Sequence, residues 1–304
     1  MEITSPQSCV LMDNDRFYPT TSCISTWFDK RRGVALGIAA SGSSAGGIFW
    51  PILVNKVIYN YGLLWAYRCI ALVSTPLLAS ACLLIKERRG PDGKVLRLNE
   101  KGKKQSILQP HFLALTGSLF FVYLGFGVPF GFIPMYAMFN DYSFRTGNFL
   151  LSLCYLGSFF GRTAAGLLAD RFGRFNICST MAIITGTLTI CWIAMRTFAG
   201  LATFSVLFGF FSGGLMPLGS ACVAQITPNM GHIGLRIGVM MAFCSIGAFI
   251  GGPICGGLID TSRKEAMGFI GANLFSGITT IFGGLLLFST RCGWGGRGPG
   301  KWLV

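Results

Sequence analysis

Residues 157–174 read GSFFGRTAAGLLADRFGR, and the reading of this stretch governs the rest of the chain. Gly157, Gly161, Ala165 and Ala169 recur at every fourth position, which on a helix gives one narrow stripe of small side chains. Stripes of this kind let helix backbones approach closely inside a bilayer. The run then turns polar at Asp170-Arg171-Phe172-Gly173-Arg174. Gly173 suits a tight turn, and Arg171 and Arg174 suit a membrane boundary. Asp170 is placed to accept hydrogen bonds from a neighbouring helix start, where the backbone dipole favours an anion.

Outward from this stretch the chain stays apolar. Only 12% of its 304 residues are charged, against roughly 25% in soluble domains, and mean hydropathy is +0.60. A bilayer core takes about 20 apolar residues per helix. Eight stretches qualify, at 33–58, 64–85, 112–139, 146–169, 176–195, 198–226, 237–259 and 268–290. They predict an all-α membrane protein with eight transmembrane helices. The 42 glycines follow no three-residue period, which excludes collagen and fits tightly packed spans.

The net charge of +14 reads as topology. With the amino-terminal segment in the cytoplasm, 18 of the 25 Lys and Arg fall on the inner side and six on the outer. This asymmetry predicts that both termini are cytoplasmic. Charges divided among short loops argue against nucleic-acid binding. The 11 cysteines form no C-x-x-C pair and mostly lie in apolar runs, which predicts neither metal sites nor disulfides. No phosphate loop, zinc-helix pattern or nucleophile elbow is present, so neither an enzyme nor a cofactor is expected.

A shift of 205 positions lays the first span on the seventh. Arg31, Gly33 and Val34 meet Arg236, Gly238 and Val239, and Gly42, Gly46 and Gly47 meet Gly247, Gly251 and Gly252. Chance matching of Gly-rich helices is one reading; a duplicated bundle, the usual build of secondary transporters, is the other. The four-residue spacing predicts packing faces at Gly42/Gly46 and at Gly247/Gly251.

At Gly166-Leu-Leu-Ala-Asp170-Arg171-Phe-Gly173-Arg174 the sequence resembles the major facilitator superfamily, with its loop signature G-x-x-x-D-R-x-G-R. The run WFDKRRGVALGIAASGS at 27–43 is similar to the start of the fifth helix in the monocarboxylate porter branch, and GRTAAGLLADRFGRFN at 161–176 looks like fungal members of it. The resemblance implies a twelve-helix transporter, of which this chain offers the fifth to twelfth helices and lacks the first four. It divides the chain into a polar cytoplasmic segment (1–32), two helices of a first half (33–85), a basic cytoplasmic linker (86–111), a six-helix carboxyl-terminal half (112–290) and a Gly-rich cytoplasmic tail (291–304).

The resemblance further implies a plasma-membrane carrier for a small monocarboxylate or a carboxylated, hydrophobic secondary metabolite. A non-transporting remnant or partner subunit is the alternative. Arg162 is the one charge well inside a span; it either holds a substrate carboxylate or snorkels to the interface. The porters carry an Arg at the matching position. Lactate carriers add an Asp one turn earlier, where this chain has Ser158. None of the 11 acidic residues lies within a span, which speaks against proton coupling. Tyr123, Phe126 and Phe130 on the third span are candidates to stack on a substrate, or else face lipid and other helices. Gly166, Asp170, Arg171, Gly173 and Arg174, with Arg31 and Arg32 opposite, form the expected conformational-switch motif.

Overall fold

The computed structural model describes residues 32–84, 109–227, 232–259 and 266–294, and these are helical. In chain order they form α1 (Arg32–Tyr61), α2 (Leu63–Leu84), α3 (Pro110–Phe126), α4 (Val128–Phe139), α5 (Phe144–Phe172), α6 (Arg174–Cys191), α7 (Phe198–Gly213), α8 (Leu215–Ile226), α9 (Ile233–Gly257) and α10 (Ile270–Trp294). Short 3-10 turns at Trp192–Ala194 and Ala266–Phe269 follow α6 and precede α10. The polar amino-terminal segment with Arg31, the basic stretch of the linker up to residue 108 and the terminal tail lie outside the described residues.

These ten helices make eight rods, because α3 runs into α4 and α7 into α8. Both junctions have the same local cause. Gly127 is followed by Pro129, and Gly214 by Pro217, so a weak helix former is joined to a residue that cannot donate to the helix behind it. Seven of the rods are long and apolar enough to cross a membrane. The eighth, α5, has 29 residues, enough length to cross, but Arg145, Arg162 and Asp170 make it less apolar.

Gly62 and Gly173 carry φ of +82° and +93°, and each makes a hairpin turn that a side chain would strain. Ser143 caps α5 by accepting from Thr146 N at 3.2 Å, and Thr197 caps α7 by accepting from Gly200 N at 3.2 Å. The least apolar rod packs against three others: α5 lies along α1, α7 and α4. On the other side α10 packs on α6 and α3.

The core has two parts. One gathers Phe112, Leu115, Leu119, Ala165, Leu218 and Met240 toward the Asp170 end of the bundle. The other gathers Tyr136, Leu150, Trp192, Phe204 and Phe269 toward the opposite end. Phe130 packs against both, so it stands at mid-depth. By contrast, only 6% of the apolar window of α2 is buried, against 72% of the rod made by α7 and α8.

Candidate functional site

The contact of α1 with α5 is an antiparallel seam whose pairs can be followed one by one. Gly47 faces the ring of Tyr155: a Cβ on Gly47 would sit 2.5 Å from Tyr155 Cδ1. Ser44 Oγ donates to Ser158 Oγ at 3.1 Å. Arg162 donates through Nη1 to the Ala40 carbonyl and to Ser43 Oγ, and through Nε to Ser158 Oγ at 3.3 Å. Gly37 lies against the Arg162 backbone carbonyl, and a Cβ on Gly33 would be 2.7 Å from the Gly166 carbonyl. As the α1 number falls from 47 to 33, the α5 number rises from 155 to 166.

Asp170 closes the seam. Its Oδ1 accepts from Gly33 N and its Oδ2 from Val34 N, each at 3.1 Å. These amides belong to the first turn of α1, where helix N–H groups have no carbonyl partner within the helix. A carboxylate there satisfies two donors and also meets the positive end of the helix dipole. Arg174 Nη2, at the start of α6 just past the Gly173 turn, stands 3.5 Å from Asp170 Oδ1. Gly33 and Gly166 permit the approach, since a side chain on either would strike the other's backbone.

The expected switch residues are therefore distributed unevenly. Gly166 and Asp170 meet α1, Gly173 makes the turn, and Arg174 flanks the carboxylate. Arg171 is exposed and lies 5.6 Å over its neighbour Phe172. Arg31 and the side chain of Arg32 are outside the described residues.

Arg162 lies in the bundle interior, 8% exposed, and is held by α1 rather than extended to the interface. Of the aromatic candidates, Tyr123 and Phe126 are buried and pack edge to face at 4.9 Å. Phe130 is half-buried, 6.4 Å from Phe126 and 5.6 Å from Tyr155. Tyr123 and Phe126 thus back Phe130 from behind. The row continues through Phe208, 5.4 Å from Phe130, to Phe204 and Trp192, stacked 5.0 Å apart.

Tyr155 belongs to none of the sequence motifs. It stands three residues before Ser158 and seven before Arg162, a spacing that puts all three on one face of α5. That periodicity was the available signal.

One expectation needs correction. The Gly42/Gly46 face is not a packing face: a Cβ on Gly42 would meet nothing within 4 Å, and one on Gly46 only its own helix's Trp50. Other glycines of α1, Gly33, Gly37 and Gly47, make the close approach instead. Arg236, the counterpart of Arg31 in the repeat, is fully buried. It donates to the Ile226 carbonyl at 3.0 Å, to Thr227 Oγ1 at 3.2 Å and to Gln109 Oε1, and lies 5.0 Å over the Phe112 ring. It thereby ties together the end of α8, the start of α3 and α9.

Residues 115–294 match the Major Facilitator Superfamily. The MFS-type transporter pynF of Aspergillus niger is 40% identical over 256 residues, covering 84% of this chain and 58% of pynF. The aspyridones efflux protein apdF of Emericella nidulans is 35% identical, covering 93% of this chain and 56% of apdF. The agnestins efflux protein AgnL12 of Paecilomyces divaricatus is 32% identical, covering 90% and 61%. The chain thus spans about three fifths of the length of these curated relatives. Among solved structures, the transporter FucP in its outward conformation superposes with a TM-score of 0.68 at 14% identity, over 90% of this chain and 72% of FucP. The human organic anion transporter MFSD10 gives 0.69 at 13% identity, over 90% and 67%. At such identities these two report the fold alone.

Proposed function

The chain belongs to the major facilitator superfamily, and from that premise we propose that it serves efflux of a secondary metabolite, one that is hydrophobic and carries a carboxylate or other acidic group. The observation that carries this reading is the α1–α5 seam, where a buried Arg162 lies two helical turns along α5 from Tyr155, whose half-buried ring stands 5.6 Å from that of Phe130 on α4. The efflux assignments of apdF and AgnL12 point the same way.

In this reading the rings receive the apolar part of the cargo. Tyr123 and Phe126 hold Phe130 in place. A guanidinium presents paired donors that match a carboxylate, and here it is oriented by hydroxyls and one carbonyl of the seam. A cargo carboxylate competes with Ser43 and the Ala40 carbonyl for Nη1, which links binding to the fit of α1 on α5. Asp170 and the amides of Gly33 and Val34 act as the latch at the end of that seam. We place the protein in the monocarboxylate porter branch, in the plasma membrane with both termini cytoplasmic. We also propose that a further helical segment, equivalent to the first four helices of the family, completes the transport path.

Deleting the gene from its host, then comparing metabolites in cells and medium by mass spectrometry, tests the reading. One acidic, ring-bearing metabolite should shift from medium to cells, and Arg162→Ala or Arg162→Lys should reproduce the shift, since Lys lacks the planar fork. An unchanged partition on deletion removes the efflux reading. An unchanged partition in Arg162→Ala alone removes Arg162 from the cargo site.

A further inference from the structure

The joint of α10 with α6 and α3 is separate from the Arg162 seam and carries its own polar groups. Ser179 Oγ donates to the Gly284 carbonyl at 2.7 Å, a Cβ on Gly186 would sit 2.7 Å from the Gly277 carbonyl, and Gly277 lies against Ile190. As the α10 number falls from 284 to 277, the α6 number rises from 179 to 190. On the α3 side a Cβ on Gly283 would meet the Ser118 carbonyl at 2.7 Å, and Ser276 Oγ donates to the Gly125 carbonyl at 2.8 Å. Asn273 is one turn beyond Gly277 on the same face. It stands level with the 3-10 turn Trp192–Ala194, which packs on α10, and with the break of α3 from α4 at Gly127.

Asn273 is 1% exposed, and neither its Nδ2 nor its Oδ1 has a hydrogen-bond partner among the described residues. Trp192 is as deeply buried, and its Nε1 has no such partner either. Other polar side chains of the bundle find one within their own helix. Asn140 and Asn176 donate to the carbonyl four residues back, and so do Thr189 and Thr280. Asn273 makes no such return. An enclosed carboxamide in a membrane protein is costly unless something meets both its ends.

The open groups define what fits them. Nδ2 and Nε1 donate and Oδ1 accepts, so the ligand both accepts and donates. Residues 118–127, 179–194 and 270–290, which build the joint, include no charged side chain, so an ion here would lack a counter-charge. Burial of both side chains requires a small ligand. We propose that this joint is an internal water site. One water accepts from Asn273 Nδ2, another donates to Asn273 Oδ1, and Trp192 Nε1 donates to this short chain. Buried waters are held in this way, by about three bonds each to polar groups that the protein does not otherwise satisfy. The site does not depend on the cargo reading, since Arg162 faces α1 while Asn273 faces α6 and α3.

The test uses the whole chain in lipid nanodiscs. X-ray radiolysis makes hydroxyl radicals from water where that water stands, and mass spectrometry locates the oxidised residues. Radicals from bulk solvent do not reach a ring that is 1% exposed, so oxidation of Trp192 reports bound water. Trp192 should be oxidised severalfold faster than Phe112, equally buried in the other part of the core, after correction for the reactivity of each ring. Asn273→Leu keeps the bulk and removes the amide. It should abolish most of the Trp192 label and lower the thermal midpoint by roughly 2–4 °C, the size of one net hydrogen bond. Asn273→Ser keeps a donor and an acceptor and should keep the label. A Trp192 oxidised no faster than Phe112 overturns the proposal, as does a label that survives in Asn273→Leu. A midpoint that rises in Asn273→Leu also overturns it, since that is the result for a dry, unpaired amide. If Asn273→Leu does not insert, the Trp192 label of the unaltered chain decides.

Discussion

The first and seventh spans carry the same small-residue pattern at an offset of 205, yet the two helices use opposite parts of it. On α1, Gly33 is pressed against Gly166 and Asp170, while Gly42 meets nothing. On α9 the counterpart of Gly33 is Gly238, where an added Cβ would meet nothing within 4 Å, while the counterparts of Gly42 and Gly46 are packed. A Cβ on Gly247 would be 2.9 Å from the Phe120 carbonyl, and one on Gly251 would overlap the Leu124 carbonyl. A glycine face is a capacity for close approach, and the helix that comes to it decides whether the capacity is used. α9 has α3 against Gly247 and Gly251; α1 has α5 against Gly33, Gly37 and Gly47. The open glycines of each copy mark where the other copy has its neighbour.

The sharpest way to break this comparison is to fill Gly251 and its counterpart Gly46. Gly251→Leu drives a side chain into backbone that cannot yield, and should lower stability by about 3 kcal/mol. Gly46→Leu, at the matching place on α1, should leave stability within about 0.5 kcal/mol. Unfolding of the purified chain in detergent gives both numbers, and equal losses would end the asymmetry.

Next in size is the buried cation of the α9 copy. Arg236→Ala removes donors to Ile226, Thr227 and Gln109 together, and a loss of about 2 kcal/mol is expected from hydrogen bonds to a charged group. Its effect should centre on the ends of α3, α8 and α9, read as faster amide exchange at residues 109–113 and 223–227.

The latch of the α1 copy should show a smaller effect. Asp170→Ala removes two amide bonds at a helix start, worth about 1 kcal/mol. Amide exchange at Gly33 and Val34 should quicken, with residues 238–239 of the other copy unchanged. The smallest effect belongs to Gly238→Ala, which fills open space on a helix and should stabilise by a few tenths up to about 1 kcal/mol through helix propensity. Gly33→Ala, its counterpart, should destabilise, so the two substitutions differ in sign.

Much of the architecture was legible before any coordinates. The eight apolar stretches coincide with the eight rods within a few residues at most ends, because a bilayer demands long apolar runs whatever their neighbours. The switch motif, with Arg31 and Arg32 opposite Asp170, also pointed to the start of α1, where Gly33 and Val34 donate to the carboxylate. The site was less legible. Tyr155 looked like any aromatic in an apolar run. Tyr123 and Phe126 carried the same composition as Phe130 yet lie behind it. Arg236 sat beside a span boundary in the sequence, yet three segments fold over it.

The sequence by itself determined which segments are helical, where Gly62 and Gly173 turn them, where Gly127 and Gly214 break them and which end of α5 carries the carboxylate. All of these depend on the residue and its near neighbours along the chain. Only the tertiary structure decided which glycines touch, which aromatic ring is open and what Arg162 holds. These are properties of pairs of helices. A side chain's face is fixed by its own helix, but its burial and partners depend on the second surface brought against that face.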